Sequence, residues 1–585
     1  MAFLLVAVET MSAGSATWSA NPVSTDWSVA GNWTPATVPN RPADVATFGA
    51  SALPQVELLG NHDCTFLTEM VSRVTFSPGA SAYTITAHSL GAVEFDGAGV
   101  INLSGIPQNF KTVTEDGTVG VGQFFFSGTS SAGSELNIFT NGEAVSNGDT
   151  GGECQFNASS TAGNAMFVNE GGSRFNAAGG EVNFYFSSTA GNATIINHGA
   201  TAQGLTGGKV YFDAPATAGE SVIVNDGAEN TGSGGRILFF GGDAGSAQIA
   251  NNGGTVSGAG GGTVDFTSLS GAGTATIINN GGIVAGAQGG VLTFVDFADA
   301  KQAILIANGG TNGGDGSQIV FGEAATASQA QLKIYGNGSL DLSARVRPGL
   351  RAGSLEGDGL VFLGGQKLAL GFNNRSTTFS GTIMDGGIVN GVGGSLLKLG
   401  RGSLALSGLN TYTGGTIVKS GTLRVTNTTG SGTGTGPVTV EGGILAGSGV
   451  MSGAVTMGVS SDSFATIAPS NGKGRSSLLT TQGSLTFHSF SGYKWTVRND
   501  QATADELAAN GVTIDAGAVF SGSALGNGSL SPGTVFTALN NTSAQPISGT
   551  FDNLADGAVI TVNGTNLQAD YEGGDGNDLT LIVVP

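Results

Sequence analysis

One sentence recurs along much of this chain at a step of about 28 residues. "SSTAGNATIINHG" at 187–199 returns as "PATAGESVIVNDG" at 215–227 and as "LSGAGTATIINNG" at 269–281. Aligned on the Ala-Gly step, the copies place Gly133, Gly163, Gly191, Gly219, Gly245 and Gly273, with weaker copies near Ala300 and Ala327. Gly-Gly pairs keep the same step at 151–152, 179–180, 207–208, 234–235, 261–262 and 289–290. So does a phenylalanine (Phe126, Phe156, Phe184, Phe212, Phe239, Phe266, Phe294, Phe321) and an asparagine (Asn141, Asn169, Asn197, Asn225, Asn251, Asn279, Asn308). Internal repetition at such a period is the mark of stacked units, none of which buries a core alone.

Within a copy the period is two. Two residues before each phenylalanine stand Phe124, Cys154, Val182, Val210, Ile237, Val264, Leu292 and Ile319. Two before each asparagine stand Phe139, Phe167, Ile195, Ile223, Ile249, Ile277 and Ile306. Side chains two apart on a strand share a face, so these columns point inward. In the opening copy, Ala193, Ile195 and Asn197 are inward, while Thr194, Ile196 and His198 face out or sit at the turn. The reading is an all-β, right-handed parallel β-helix (β-solenoid) of stacked ~28-residue coils, like residues lying about 4.8 Å apart along the axis. Inward asparagines then form corner ladders of side-chain amides. Antiparallel sandwiches also have many short strands, but nothing in them holds one residue type in one column over seven or eight copies.

Composition agrees. The chain has 102 glycines in 585 residues, yet 39% hydrophobic residues and 31 phenylalanines, too much apolar material for a solvated coil. With 42 acidic against 21 basic residues the net charge is −21, which argues against a nucleic-acid backbone or an anionic membrane surface as partner. No stretch is long and apolar enough for a transmembrane segment.

The expected organisation runs as follows. Residues 1–16 resemble a truncated signal peptide: Ala2–Val8 is apolar and Gly14-Ser15-Ala16 is small, although a basic start is missing and Glu9 intrudes. Residues 17–50 form a Trp/Pro-rich N-terminal cap in which Trp18, Trp27 and Trp33 plug the first coil. Residues 51–122 are the first irregular coils, 123–345 the regular repeats, 346–470 further β-helix, and 471–585 a C-terminal β-rich cap region.

Residues 396–426, "LLKLGRGSLALSGLNTYTGGTIVKSGTLRVT", are of another kind. Leu397, Lys398, Gly400, Gly402, Leu404, Leu406, Ser407, Gly408, Asn410–Thr416, Gly421, Leu423 and Val425 fit a pattern. This segment resembles the autotransporter-associated β-strand repeat, also called the passenger-associated transport repeat. The resemblance implies a secreted β-helical passenger of a Gram-negative bacterium, located extracellularly or on the outer cell surface. An autotransporter would continue into a membrane β-barrel of alternating strands. None precedes Pro585, so the expectation is either a translocator lying outside this sequence or another mode of export and anchoring, as in relatives whose sorting tail begins near a comparable Val-Pro.

Residues that could carry chemistry are scattered. The acids Asp213, Asp226, Asp243, Asp265, Asp296 and Asp299 stand apart and Asp505-Glu506 is an adjacent pair, whereas glycoside hydrolysis needs two carboxylates about 5–10 Å apart. His62, His88, His198 and His488 lack metal-ligand spacing, and His198 occupies a turn slot that other copies fill with Glu170, Asp226, Asn252 and Asn280. "GGDGNDLTL" at 573–581 is one imperfect copy of a calcium-binding nonapeptide, and such sites are shared between turns. Cys64 and Cys154, about three coils apart (~14 Å), are read as free buried thiols. The column Glu153, Glu181, Lys209, Arg236, Thr263, Val291, Gln318 is a plausible docking face, with Glu181 and Lys209 pairing for at most about 1 kcal/mol. No catalytic, cofactor-binding or metal-ligating residue is assigned.

The functional expectation is an exported, elongated β-helical surface or matrix protein, adhesin-like and non-catalytic. It would hold a surface, glycan or matrix partner through many weak contacts made at once. The alternatives are a carbohydrate-active β-helix enzyme, which a cleft of convergent carboxylates with a base would revive, and a self-assembling extracellular filament subunit.

Overall fold

Alternating burial along each short strand sets the architecture. The computed structural model describes residues 14–60, 67–115, 120–145, 150–174, 177–470 and 474–585. Residues 1–13, His62 and Cys64, and the readings made on them, lie outside these. The backbone divides into two compact units, Met1–Gln318 and Ile319–Pro585. Among the described residues there is no α-helix, only a short 3-10 turn at Ala30–Asn32, and no helix long and apolar enough to cross a membrane.

In the first unit, Glu153–Phe156, Glu181–Phe184, Lys209–Asp213, Arg236–Phe240, Thr263–Thr267 and Val291–Phe294 pair in parallel, each with the next. Met166–Asn169, Thr194–Asn197, Val222–Asn225, Gln248–Asn251, Thr276–Asn279 and Ile304–Ala307 do the same on a second sheet. Registers match like with like: Ile195 to Ile223, Ile223 to Ile249, Ile249 to Ile277. Each coil is one turn of a parallel β-solenoid, as the columns require.

The phenylalanine column is a continuous stack. From Phe95 through Phe126, Phe156, Phe184, Phe212, Phe239 and Phe266 to Phe294, successive ring centroids lie 4.5–4.8 Å apart, within a few degrees of parallel for most pairs. Identical rings stack because the strand spacing already sets their separation. The Thr-Ala-Gly step is a turn: Gly191 has φ +59, and its N–H donates to Thr189 Oγ1 at 3.0 Å while Ala190 is buried. Thr161 and Thr217 repeat the bond, and Asp243 replaces it with a carboxylate at 2.7 Å.

Trp18, Trp27 and Trp33 are buried and close around Phe48 with centroid separations of 5.7–6.1 Å. Each indole N–H has a carbonyl partner: Leu53, Pro39 and Trp27 respectively. Among the described residues, these rings lie where Ala16–Trp18 pairs with Trp33–Thr34 on one side and Val45–Phe48 on the other.

The second unit is also mainly parallel, with shorter turns: Leu404 pairs with Leu423, Leu423 with Leu445, and Leu445 with Ile467. It finishes in antiparallel pairing of Val559–Val562, Thr565–Gly573, Asp578–Val584 and Val535–Asn541. The motif at 396–426 reads here as corner chemistry. Lys398 points inward, almost wholly buried, and its ammonium donates to the carbonyls of Leu399 (2.5 Å), Ser420 (3.3 Å) and Gly400 (3.4 Å). Burial lowers its pKa to about 8. Asn410 accepts from the Ile383 N–H and donates to Gly432 O, tying three successive coils. Tyr412 is buried against Thr416, hydroxyl to hydroxyl at 2.5 Å.

Two details of the sequence reading are corrected. In the last regular copy the inward slot holds Ala307, which pairs with Asn279, so Leu305 rather than Ile306 is inward and Asn308 faces out. Among the described residues Glu181 and Lys209 adjoin in register but form no ion pair. Instead the Asn183 amide donates to Glu153 (2.7 Å) and Glu181 (3.3 Å), holding two like charges together.

Candidate binding groove

The buried asparagines form the predicted ladder. Asn141 donates to Asn169, Asn169 to Asn197, Asn197 to Asn225, Asn225 to Asn251 and Asn251 to Asn279, at 2.7–3.2 Å. Second amide hydrogens of Asn141, Asn169, Asn225 and Asn251 go to the carbonyls of Glu181, Lys209, Thr263 and Val291. All six are fully buried, which leaves them no role toward a ligand. Cys154 lies beside the ladder's first rung, a free thiol within hydrogen-bond reach of Asn141, and burial pushes its pKa up.

One residue further along each coil, the chain leaves the core and lines a groove. It has a volume of about 1160 Å³ and extends from Lys111 and Thr114 to Asn308 and Thr311. Eight coils contribute, so at one strand spacing per coil it is about 34 Å long. Its floor is glycine: Gly171, Gly199, Gly227, Gly253, Gly281 and Gly309. A Cβ at Gly199 would stand 2.3 Å from Gly227 O, and one at Gly227 2.0 Å from Gly253 O. Close stacking of coils forces glycine here, and the missing side chains leave the trough open.

One wall is Glu170, His198, Asp226, Asn252, Asn280 and Asn308; the other carries Ser173, Thr201, Glu229, Thr255, Ile283 and Thr311. The first wall is itself a hydrogen-bonded row. Asn308 donates to Asn280 (2.9 Å), Asn280 to Asn252 (2.9 Å) and Asn252 to Asp226 (3.3 Å), while His198 Nδ1 meets the other Asp226 oxygen at 2.9 Å. The Asp226 hydrogen bond raises the His198 pKa above its ordinary value, against partial desolvation. Glu143, one coil in from the Lys111 end, accepts from the Ser173 hydroxyl at 2.5 Å.

Most other candidate acids have local work. Asp265 pairs with Arg236 at 2.9 Å, and Asp243 with Lys301 at 2.5 Å from two coils away, across Gly271. Asp296 and Asp299 accept from the Ser268 and Lys301 N–H groups, and Asp213 from the Tyr211 hydroxyl at 3.4 Å. Asp505 is buried against Arg498 at 3.0 Å, whereas its neighbour Glu506 bonds Asn540. His88 bridges Glu57 and Glu115, and His488 meets Asp515 at 2.6 Å. In the 573–581 segment, Asp578 accepts from the Asn541 N–H at the end of the neighbouring strand Val535–Asn541. Only Asp226 and His198, of all these, come together in the groove. Glu143, Glu170 and Glu229 join them, so that carboxylates from neighbouring coils converge beside an imidazole. The signal for this wall in the sequence is the variable slot beside the recurring Asn, a turn position that here lines the groove.

Residues 396–425 match the family model described as the passenger-associated-transport-repeat. No curated protein matches the chain. Among solved structures the chain is similar to the crystal structure of the Haemophilus influenzae Hap adhesin, with 12% identity and a TM-score of 0.33, over 92% of this chain and 58% of that one. The chain thus spans little more than half the length of that adhesin chain.

Proposed function

We propose that this chain is an exported, non-catalytic β-helical surface or matrix protein, passenger-like in kind, whose groove docks an extended, uncharged polar polymer such as a neutral linear glycan. The passenger-associated repeat at 396–425 supports the passenger reading and with it an extracellular or cell-surface location in a Gram-negative bacterium. The groove carries the docking reading: it offers hydroxyl, amide and carboxylate groups at one fixed axial step over eight coils. Asn252, Asn280 and Asn308 each spend one amide hydrogen within their row, leaving the second for a ligand. A polymer with a repeating set of hydroxyls meets several such rungs together, and weak contacts then sum. Binding of the full chain to immobilised neutral glycans tests this. Thr201→Trp with Thr255→Trp fills the trough from its exposed wall, and is expected to abolish binding while leaving the circular dichroism spectrum unchanged. Undiminished binding sinks the groove assignment.

The second reading is a glycan-cleaving enzyme, favoured by Glu170 and Asp226 flanking His198 on the same wall. Two coils separate the carboxylates, about 10 Å at the backbone, near the upper end of the glycosidase range. New reducing ends from a bound glycan, lost in Glu170→Gln or Asp226→Asn, would establish it.

A further inference from the structure

The second unit holds a site of the opposite character. A hollow of about 470 Å³ is lined by Arg345, Arg347, Arg351 and Lys367, with Ala369, Leu397, Leu399 and Phe372 at its base. Four of the chain's 21 basic residues thus meet in one place, and no Asp or Glu lines it although the chain has 42. Parallel pairing builds the floor: Arg351, Ala369 and Leu397 lie side by side on Leu350–Gly357, Lys367–Leu370 and Ser395–Lys398, on the outward face opposite buried Leu350, Leu368 and Leu396.

Arg345 is the informative residue. It is only 7% exposed, its Nε donates to Gly349 O at 3.1 Å and its Nη1 to Ala325 O. Among the described residues no carboxylate stands within ion-pair distance of it. A buried cation held by carbonyl dipoles alone is unusual, because burial of charge is costly without a counter-charge. Arg351 is exposed but fixed, its guanidinium 4.5 Å from the centre of the Phe372 ring. Held guanidiniums present paired N–H groups in the geometry that carboxylate and sulfate accept. The apolar strip between them suits the C–H face of a sugar ring, and the volume is that of an ordinary small-ligand site.

We propose that this hollow binds an acidic saccharide, a uronate- or sulfate-bearing sugar, with Arg345, Arg351 and Lys367 supplying the counter-charge and Leu397 and Phe372 the apolar platform. It is independent of the groove, which belongs to the other unit and faces uncharged ligands.

The test is calorimetric titration of the full chain with a galacturonate tetrasaccharide, its neutral methyl ester, and inorganic sulfate at equal ionic strength. Binding of the acidic tetrasaccharide is expected, with the ester at least about tenfold weaker. Arg351→Gln with Lys367→Gln, both on the surface, is expected to weaken the acidic ligand by about tenfold or more with unfolding unchanged. The groove-filling Thr201→Trp/Thr255→Trp protein is expected to bind it normally. Equal binding of the ester, undiminished binding by the double glutamine variant, or sulfate binding as tightly as the tetrasaccharide would each overturn the assignment. If Arg345→Met folds, it is expected to lose binding too; if it does not fold, the surface variant decides.

Discussion

Truncating one rung of the buried amide ladder is the most discriminating perturbation of this fold. Asn225 accepts from Asn197 at 2.7 Å and donates to Asn251 at 3.2 Å and Thr263 O at 2.9 Å, with no exposure to solvent. Asn225→Ala leaves one buried donor and two buried acceptors without partners. At about 1–3 kcal/mol for each well-made bond and less for the long one, the loss is about 3–6 kcal/mol. The vacated volume is small and adds under about 1 kcal/mol. Asn252, which follows Asn251 on the next coil, makes comparable amide bonds in the outer row, but it is half-exposed and water can replace them. Asn252→Ala should therefore cost below about 1 kcal/mol. A repeat array need not unfold as one unit, so the comparison belongs in native-state hydrogen exchange, read in Thr194–Asn197, Val222–Asn225 and Gln248–Asn251. Protection there should fall steeply for Asn225→Ala and hardly at all for Asn252→Ala. Equal losses in the two variants would show that burial does not separate the ladders, and the argument would fail.

Phe212→Ala removes a ring stacked at 4.8 Å on both sides, and should cost about 3–5 kcal/mol, seen as lost exchange protection in the adjoining coils. Gly199→Ala sets a methyl 2.3 Å from Gly227 O and should destabilise by about 3 kcal/mol, whereas Gly204→Ala, with open space around it but φ +73, should cost about 1. By NMR, the His198 imidazole should titrate above its ordinary value of 6.5, and Asp226→Asn should bring it down. The sign follows: the pair's stabilisation is complete below about pH 6.5, the unfolded value, and fades as pH rises through the folded one.

What the sequence made legible is what stacking repeats. A phenylalanine at 212 must match 184 and 239, so the columns, their inward face and the parallel pairing could all be read from spacing. Where two adjacent columns carry the same letter, spacing misleads. With Ala307 in the inward slot, the spacing points to Asn308 as a ladder rung, though it belongs to the outer row. Glu181 and Lys209 are neighbours in register as the spacing requires, but it is Asn183 that hydrogen-bonds Glu181. The groove was less legible because its defining residues vary, and variation in one slot gives no sign of whether that slot is solvent or a wall. Least legible was the basic hollow. Arg345, Arg351 and Lys367 share no period; shorter turns in the second unit bring them together.

The two amide rows of the first unit point in opposite senses. In the buried row each NH₂ faces the following coil; in the groove wall each faces the preceding one. A single row of aligned amides would accumulate a dipole with every coil added, as an α-helix does along its axis. Over the coils they share, these rows oppose one another and the axial field is reduced. The donor end of the outer row arrives at the Asp226 carboxylate, where partial positive charge is welcome. Each coil that adds a rung to both rows adds two opposed dipoles, so lengthening or shortening the groove by whole turns carries a smaller electrostatic cost than a single row would.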